Sequence, residues 1–221
     1  MATLSKAEDS TIAVIEDDAA VRDSVELLLQ SVGYHTIGFN SADAFNATVI
    51  VKYPNCLIVD VRLPGLSGLG LQTQLANRGI KIPIIFVTGH GDIPMASQAM
   101  KAGAVNFLTK PFREQDLLDA IAEALERDRA QTAQEENVSI LHSLFASLTD
   151  REREVANYVA AGLLNKQIAA RIGLSEVTVK LHRCNAMAKL GTRCVADLVR
   201  MVDGLTVPPV QESATAHHYS I

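Results

Sequence analysis

The first half of the chain alternates short apolar runs with segments in which apolar residues recur at helical spacing. Five runs are typical of strands: TIAVI at 11–15, YHTIGF at 34–39, CLIVD at 56–60, IPIIFVTG at 82–89 and AVNFLTKP at 104–111. Helical patterns lie between them, as in Val21, Val25, Leu28 and Val32. Because parallel strands need crossover helices, the alternation predicts an α/β doubly wound domain with a parallel five-stranded sheet.

The second half carries only helical signals. TDREREVANYVAAG begins with Thr149 or Asp150 as a cap, NKQIAARIG begins at an Asn165 cap, and SEVTVKLHRCNAMAKLG begins at a Ser175 cap. The segment ARIGLS between two of these helices supplies the tight turn of a helix-turn-helix. We therefore predict four regions: an α/β domain at 10–127, a helical linker at 128–146, a small all-α helix-turn-helix domain at 147–205 and a mobile tail at 206–221.

The charge is divided unevenly between the two halves. Residues 1–127 carry 10 Lys and Arg against 15 Asp and Glu, whereas residues 163–200 carry seven basic and two acidic side chains. Such asymmetry indicates two domains with different partners. The chain shows neither a secretory signal pattern nor an apolar run of spanning length, and its three cysteines form no CxxC pair. We therefore expect a cytoplasmic location, reduced thiols and no membrane partner.

Polar side chains follow the predicted strands at the edge where ligands bind in such sheets. They are Glu16, Asp17, Asp18, Asp60, Thr88 and Lys110. Taken singly, each has an ordinary explanation as a helix cap or a surface residue. Together they form a set in which converging carboxylates would bind Mg²⁺, leaving Asp60 ionised and nucleophilic toward phosphorus. Thr88 and Lys110 would then stabilise the phosphoryl oxygens.

The segment 176–190 predicts an amphipathic helix. On a helical wheel, the residues expected on its inner face are Val177, Leu181, Cys184 and Ala188. Those expected on its outer face are Val179, His182, Arg183 and Ala186, with Lys180 and Lys189 on the flanks. An outer face of short side chains and cations fits a DNA major groove, although a charged face is more often merely solvated.

Residues 10–127 resemble the CheY-like receiver domain of two-component response regulators. The resemblance rests on the acids after the first strand, D-x-R-L-P-G-x-x-G after the third, Thr88 and K-P-F after the fifth. It implies that Asp60 accepts a phosphoryl group from a sensor histidine kinase. It also implies that Mg²⁺ is held by Glu16, Asp17, Asp60 and the main-chain carbonyl of Arg62, and that the switch residues are Thr88, Lys110 and Phe107.

Two features of this resemblance stay open. The family has Asp more often than Glu at the position of Glu16, and the run of three acids leaves the register uncertain by one residue. We favour Glu16 and Asp17 because the family places its pair directly after the apolar run. Arg62 and His90 flank the predicted pocket; corresponding positions influence dephosphorylation in the family, but solvent-facing roles are equally consistent with the sequence.

The segment from Leu148 to Gly191 resembles the LuxR/NarL-type DNA-binding domain, on REREV, NKQIA and TVKLHR together. The resemblance makes 176–190 the recognition helix. It assigns DNA contacts to Thr178, Val179, Lys180, His182, Arg183 and Lys189. The stretch GHGDIPMASQAMKAGAVNFLTKPF resembles the FixJ/StyR-type subgroup, which includes regulators of nitrogen fixation and aromatic degradation.

The predicted function is that of a DNA-binding transcriptional response regulator and not an enzyme. Phosphorylation of Asp60 would promote homodimerisation and promoter binding and activate transcription, with RNA polymerase as a further partner. One alternative is an aspartate-dependent phosphatase or phosphotransferase, although many such enzymes have a second Asp where this chain has Arg62. The other two are a constitutive DNA-binding protein with a purely structural receiver and a protein-interaction module without DNA affinity.

Overall fold

The computed structural model describes residues 10–48, 52–89 and 93–206, with side chains through Asp203. His90 and the predicted tail after residue 206 lie outside the described residues. Contacts between Cα atoms divide the chain into two units between Thr132 and Ala133. Each unit has its own hydrophobic core.

The first unit is built on a parallel five-stranded sheet, as predicted. The strands are β1 (Thr11–Ile15), β2 (His35–Phe39), β3 (Cys56–Asp60), β4 (Ile84–Thr88) and β5 (Asn106–Thr109). They pair in the order β2-β1-β3-β4-β5. The helices between and after them are α1 (Ala19–Ser31), α2 (Ala42–Ala47), α3 (Gly68–Asn77), α4 (Ile93–Lys101) and α5 (Glu114–Ala146). The doubly wound α/β prediction is therefore confirmed.

Helices cover both faces of the sheet, which explains why β3 and β4 read as continuous apolar runs. Alternate residues of β3 point to opposite faces: Cys56 and Ile58 belong to a core completed by α1 and α5, and Leu57 and Val59 to a core completed by α2, α3 and α4. All ten residues of β3 and β4 are buried. The last residue of β3, Asp60, is thus fixed by a strand packed on both sides.

Gly68, the first residue of α3, lets this helix approach the strand that carries Asp60. A Cβ atom at Gly68 would lie 2.4 Å from the main-chain oxygen of Asp60 and 3.0 Å from a methyl group of Val59. The Gly68 N–H donates to the carbonyl of Val61 at 3.1 Å. The last glycine of the D-x-R-L-P-G-x-x-G motif is therefore required by close backbone packing.

The second unit is helical, as predicted. Its helices are α6 (Asp150–Ala160), α7 (Asn165–Ile172), α8 (Glu176–Lys189) and α9 (Val195–Thr206). They enclose a core to which Phe145 near the end of α5 and Leu148 also contribute. Helix α5 includes the whole predicted linker segment 128–146.

The helix ends of the second unit follow the predicted caps with one correction. Thr149 caps α6, and the Ser175 hydroxyl caps α8 by accepting from the Thr178 N–H at 3.2 Å. Gly173 ends α7 in the left-handed region. The predicted cap Asn165 is wrong, because Leu164 holds the N-cap position and Asn165 is already helical. The Asn165 side chain instead accepts a hydrogen bond from Arg183 at 3.2 Å.

We predict that Gly68→Ala destabilises the chain by about 1–3 kcal/mol, because backbone atoms of Asp60 cannot move aside cheaply. Gly89→Ala is the matched control, since a Cβ atom there meets nothing within 4 Å. Urea unfolding followed by circular dichroism compares the two variants. Equal stability of both would show that the approach of α3 to β3 is not tight.

Candidate functional sites

Three carboxylates converge at the carboxyl edge of the sheet. Oxygen atoms of Glu16, Asp17 and Asp60 all lie within 4.8 Å of one another. Glu16 is 2% and Asp60 7% exposed, whereas Asp17 is open to solvent. This places the two residues after β1 beside the last residue of β3, because parallel β1 and β3 end at the same edge.

Lys110, which follows β5, forms ion pairs with two of the three carboxylates. Its Nζ lies 2.5 Å from Glu16 Oε2 and 2.8 Å from Asp60 Oδ2. Burial alone would lower the pKa of Lys110, but its hydrogen bonds to Asp60 and Glu16 outweigh burial and raise that pKa. The pKa of Glu16 is raised as well, because loss of hydration on burial outweighs the attraction of Lys110. Lys110 is therefore held as a cation between the two acids.

The register of the acidic run is resolved by Asp18. Its Oδ1 accepts from the N–H groups of Ala20 and Val21, at 2.9 and 3.3 Å, and so caps α1. The structure thus brings Glu16 and Asp17 to Asp60, in the register favoured from the sequence. Sequence reasoning missed Arg22, whose Nη1 donates to the main-chain carbonyl of Glu16 at 2.8 Å. The sequence indicates this contact only through the position of a basic residue about one turn into α1.

The remaining residues predicted for this pocket lie around Asp60. Asp60 Oδ1 accepts from the Arg62 N–H at 2.9 Å, and the Arg62 side chain is exposed. Thr88 is fully buried at the end of β4, and its carbonyl accepts from the Lys110 N–H at 2.8 Å. Phe107 pairs with Phe86 in the sheet and is partly buried. An open pocket of about 550 Å³ lies beside the acids and is lined by Asp17 and Arg62 among others.

The oxygen donors at this edge fit a hard divalent cation. Mg²⁺ prefers carboxylate and carbonyl oxygens and keeps several waters, and the exposed Asp17 leaves one side of the cluster open for them. The main-chain carbonyl of Arg62 as a further ligand stays a prediction. Only one ammonium group, that of Lys110, faces the three carboxyl groups, so a divalent cation bound among them would offset the remaining negative charge.

Helix α8 presents the opposite face from the one predicted. Val179 and Ala186 are both 0% exposed and belong to the core of the second unit. Val177 is 79% and Leu181 58% exposed, and the predicted inner residues Cys184 and Ala188 are exposed as well. The assignment of Val179 to a DNA contact is therefore wrong, because its side chain is enclosed by the protein.

Four other residues predicted to contact DNA differ in their solvent exposure and in their hydrogen bonds within the domain. Lys180 is exposed, and His182 is half-buried. Thr178 shares a 2.8 Å hydrogen bond with the Ser175 hydroxyl, and Arg183 is tied to Asn165. Of these four side chains, Lys180 alone is exposed.

Lys189 is held by an acid that sequence reasoning missed. Its Nζ lies 2.6 Å from Glu152 Oε2, and Glu152 is 4% exposed. Glu152 Oε2 also accepts from the Thr149 N–H at 2.9 Å, completing a capping box at the start of α6. The hydrogen bonds from Lys189 and Thr149 lower the pKa of Glu152. The spacing T-x-x-E at 149–152 is the sequence signal that identifies this acid.

Family comparisons match both units. Residues 12–122 match the response regulator receiver domain, and residues 146–202 match the bacterial regulatory proteins of the luxR family. The chain belongs to the two-component response regulators. It combines a receiver with a LuxR-type DNA-binding domain, as the sequence resemblance implied.

Relatives of this response regulator match both of its domains. Nodulation protein W of Bradyrhizobium diazoefficiens is 50% identical over 89% of this chain and 86% of its own length. The solved structure of the response regulator StyR is 46% identical, with a TM-score of 0.77 over 88% of this chain and 98% of StyR. The crystal structure of full-length FixJ from B. japonicum is 38% identical, with a TM-score of 0.55 over 90% of this chain and 98% of FixJ.

Among residues 10–48, 52–89 and 93–206, no helix combines the length and apolar composition needed to cross a bilayer.

The reversed orientation of α8 can be tested with two valines two residues apart. We expect Val179→Ala to destabilise the second unit by about 2 kcal/mol, because it removes packed methyl groups from the core. Val177→Ala, on the exposed face, should change stability by no more than about 0.5 kcal/mol. Differential scanning calorimetry measures both; a larger loss for Val177→Ala would restore the orientation expected from the sequence.

The Glu152–Lys189 pair predicts an acid-labile contribution to stability. Because the pKa of Glu152 is lower in the folded chain, this contribution is complete above its ordinary value of 4.5 and is lost as pH falls through the lowered folded value. Glu152→Gln should have a lower melting temperature than the wild type near neutral pH. Between about pH 6 and pH 3, its melting temperature should fall less than that of the wild type.

Glu154→Gln on the same helix is the control for this experiment. Glu154 forms an ion pair with the exposed Arg151 at 2.7 Å, so its replacement should change the melting temperature little. Identical acid sensitivity of the wild type and Glu152→Gln would contradict the structural role of the pair.

Proposed function

We propose that this response regulator is phosphorylated on Asp60 by a sensor histidine kinase and then binds promoter DNA as a homodimer. The observation that carries the proposal is the fixed orientation of the Asp60 carboxylate. One of its oxygens accepts from the Arg62 N–H and the other from Lys110 Nζ. Glu16 is more deeply buried, and Asp18 is occupied as a helix cap.

In the phosphoryl transfer, a carboxylate oxygen of Asp60 attacks the phosphorus of the kinase phosphohistidine. The phosphorus–nitrogen bond breaks as the phosphorus–oxygen bond forms, and the histidine nitrogen takes the electron pair. Lys110 lies where it donates to the negative oxygens of the transferred group. Bound Mg²⁺, held by Glu16, Asp17, Asp60 and the Arg62 carbonyl, would neutralise phosphoryl charge. The product is an acyl phosphate on the regulator itself, so the chain is not proposed to be an enzyme.

The response to phosphorylation is proposed to pass through Thr88 and Phe107. Phosphoryl oxygens on Asp60 would attract the Thr88 hydroxyl at the end of the neighbouring strand, and Phe107 would turn inward as that strand end rearranges. The surface that changes is formed by α4, β5 and the first turns of α5, residues 93–125. Ile93 and Met100 on α4 are 86% and 46% exposed, which supports this surface as the one that pairs with a second subunit.

Pairing would place two LuxR-type domains on repeated half-sites of a promoter. Two linked contacts raise affinity because the second becomes intramolecular once the first has formed. The exposed Lys180 on α8 supports electrostatic attraction to DNA phosphates. We propose that the bound dimer activates transcription through contact with RNA polymerase.

We expect Asp60→Asn to abolish phosphorylation and the DNA response that follows from it. After incubation with acetyl phosphate and Mg²⁺, intact-mass spectrometry should show one phosphoryl adduct on the wild type and none on Asp60→Asn. Gel-shift titration should show tighter promoter binding only for the modified wild type, with affinity falling as salt is raised.

Asp18→Asn is the matched control for the Asp60 variant. Asn and Asp are equally good N-cap residues, so this variant should retain the helix start at α1. It should therefore be phosphorylated like the wild type. DNA binding that is equal with and without the adduct would instead favour a constitutive DNA-binding protein with a structural receiver.

A further inference from the structure

Helix α8 carries an exposed apolar strip that its own domain leaves uncovered. Val177 and Leu181 lie one turn apart and are 79% and 58% exposed. Cys184 and Ala188 continue the same face and are also exposed. The inner face is independently satisfied by Val179, Ala186 and Leu190, so the strip is not needed to hold the helix in place.

The surroundings of the strip favour a polyanion over an apolar protein surface. Lys180 is exposed and, at 3.6 residues per turn, projects beside Val177 and Leu181. The segment that contains α8, residues 163–200, carries seven basic and two acidic side chains. A helix with cations beside an apolar strip matches a major groove, where phosphates line the edges and base edges form the floor.

The floor of the major groove offers one apolar group, the C5-methyl of thymine. The branched side chains of Val177 and Leu181 have no hydrogen-bonding atoms, so they cannot recognise the donors and acceptors of the other base edges. Their contact with a thymine methyl would bury apolar surface on both partners, whereas contact with a cytosine amino group would bury an unpaired donor. A strip of this kind would favour thymine, because apolar contact is gained there and no hydrogen-bonding group is left unpaired.

We propose that Val177 and Leu181 determine DNA specificity by contacting thymine methyl groups in the major groove. The inference rests on the proposed DNA binding by α8 and adds the residues and the chemical group on which base selection depends. It differs from the contacts implied by family resemblance, among which neither residue was included. Lys180 supplies affinity that is independent of sequence.

The test begins with a duplex pool randomised over about two helical turns. Full-length protein, incubated with acetyl phosphate and Mg²⁺, is used to select the preferred site from this pool. Each thymine of that site is then replaced singly by deoxyuridine, which removes only the C5-methyl group. We expect one or two of these replacements to weaken wild-type binding roughly three- to five-fold, as burial of one methyl group predicts.

The deciding comparison is a double-mutant cycle in which one change is made in the protein and the other in the DNA. Leu181→Ala or Val177→Ala should weaken binding to the thymine site and should show no further loss with deoxyuridine at the matching position. Lys180→Ala should weaken binding to both DNAs equally. Ile140→Ala is the exposure-matched control, since Ile140 is 57% exposed in the same unit but lies outside the helix-turn-helix. It should retain the full deoxyuridine penalty.

The outcomes separate this inference from the proposed function. Selection of a defined site that is indifferent to every deoxyuridine replacement overturns the role of the strip and leaves DNA binding intact. An equal methyl penalty in Leu181→Ala, Val177→Ala and the wild type overturns it as well. Binding without any preferred sequence also overturns base selection by the strip. Absence of duplex affinity at any salt concentration removes the proposed function itself. Circular dichroism of each variant confirms that α8 is retained.

Discussion

The ammonium group of Lys110 is the interaction on which the receiver pocket depends. It joins Glu16 and Asp60, residues separated from it by 94 and 50 positions in the chain. Two carboxylates brought together with little solvent would repel each other and lose hydration, and one cation placed between them offsets part of these costs. The carboxyl ends of β1, β3 and β5 can therefore meet at one edge.

Most of this receiver architecture could be predicted from the sequence because its signals are local and redundant. Apolar runs such as CLIVD are too short for helices and end at polar residues, so a strand and its end are indicated together. Parallel pairing then brings Asp60, Thr88 and Lys110 to one edge without any further information. The role of Gly68 could not be derived in this way, because a 2.4 Å approach to a main-chain oxygen depends on how α3 packs.

The face of α8 could not be predicted because apolar residues occupy two sides of the helix. Val177, Leu181 and Ala188 form one stripe, and Val179, Ala186 and Leu190 form another. Periodicity detects both and does not rank them; the core contributed by α6, α7 and α9 decides which is buried. A helix that presents apolar groups to a ligand has apolar residues on two faces, so periodicity alone cannot identify the buried face. An incorrect prediction of the buried face is therefore itself a sign of function.

The same unit shows why a count of charges overstates the surface offered to DNA. Lys189 contributes to the basic total of 163–200, yet its ammonium is 2.6 Å from a buried carboxylate outside that range. Arg183 is directed to the Asn165 side chain on α7. Cations paired with side chains of their own domain stabilise its fold and contribute less to phosphate contact. With fewer free cations, non-specific affinity is lower, and a larger share of the total must come from contacts with base edges. An exposed apolar strip beside the exposed Lys180 suits a protein that has to distinguish a promoter from other DNA.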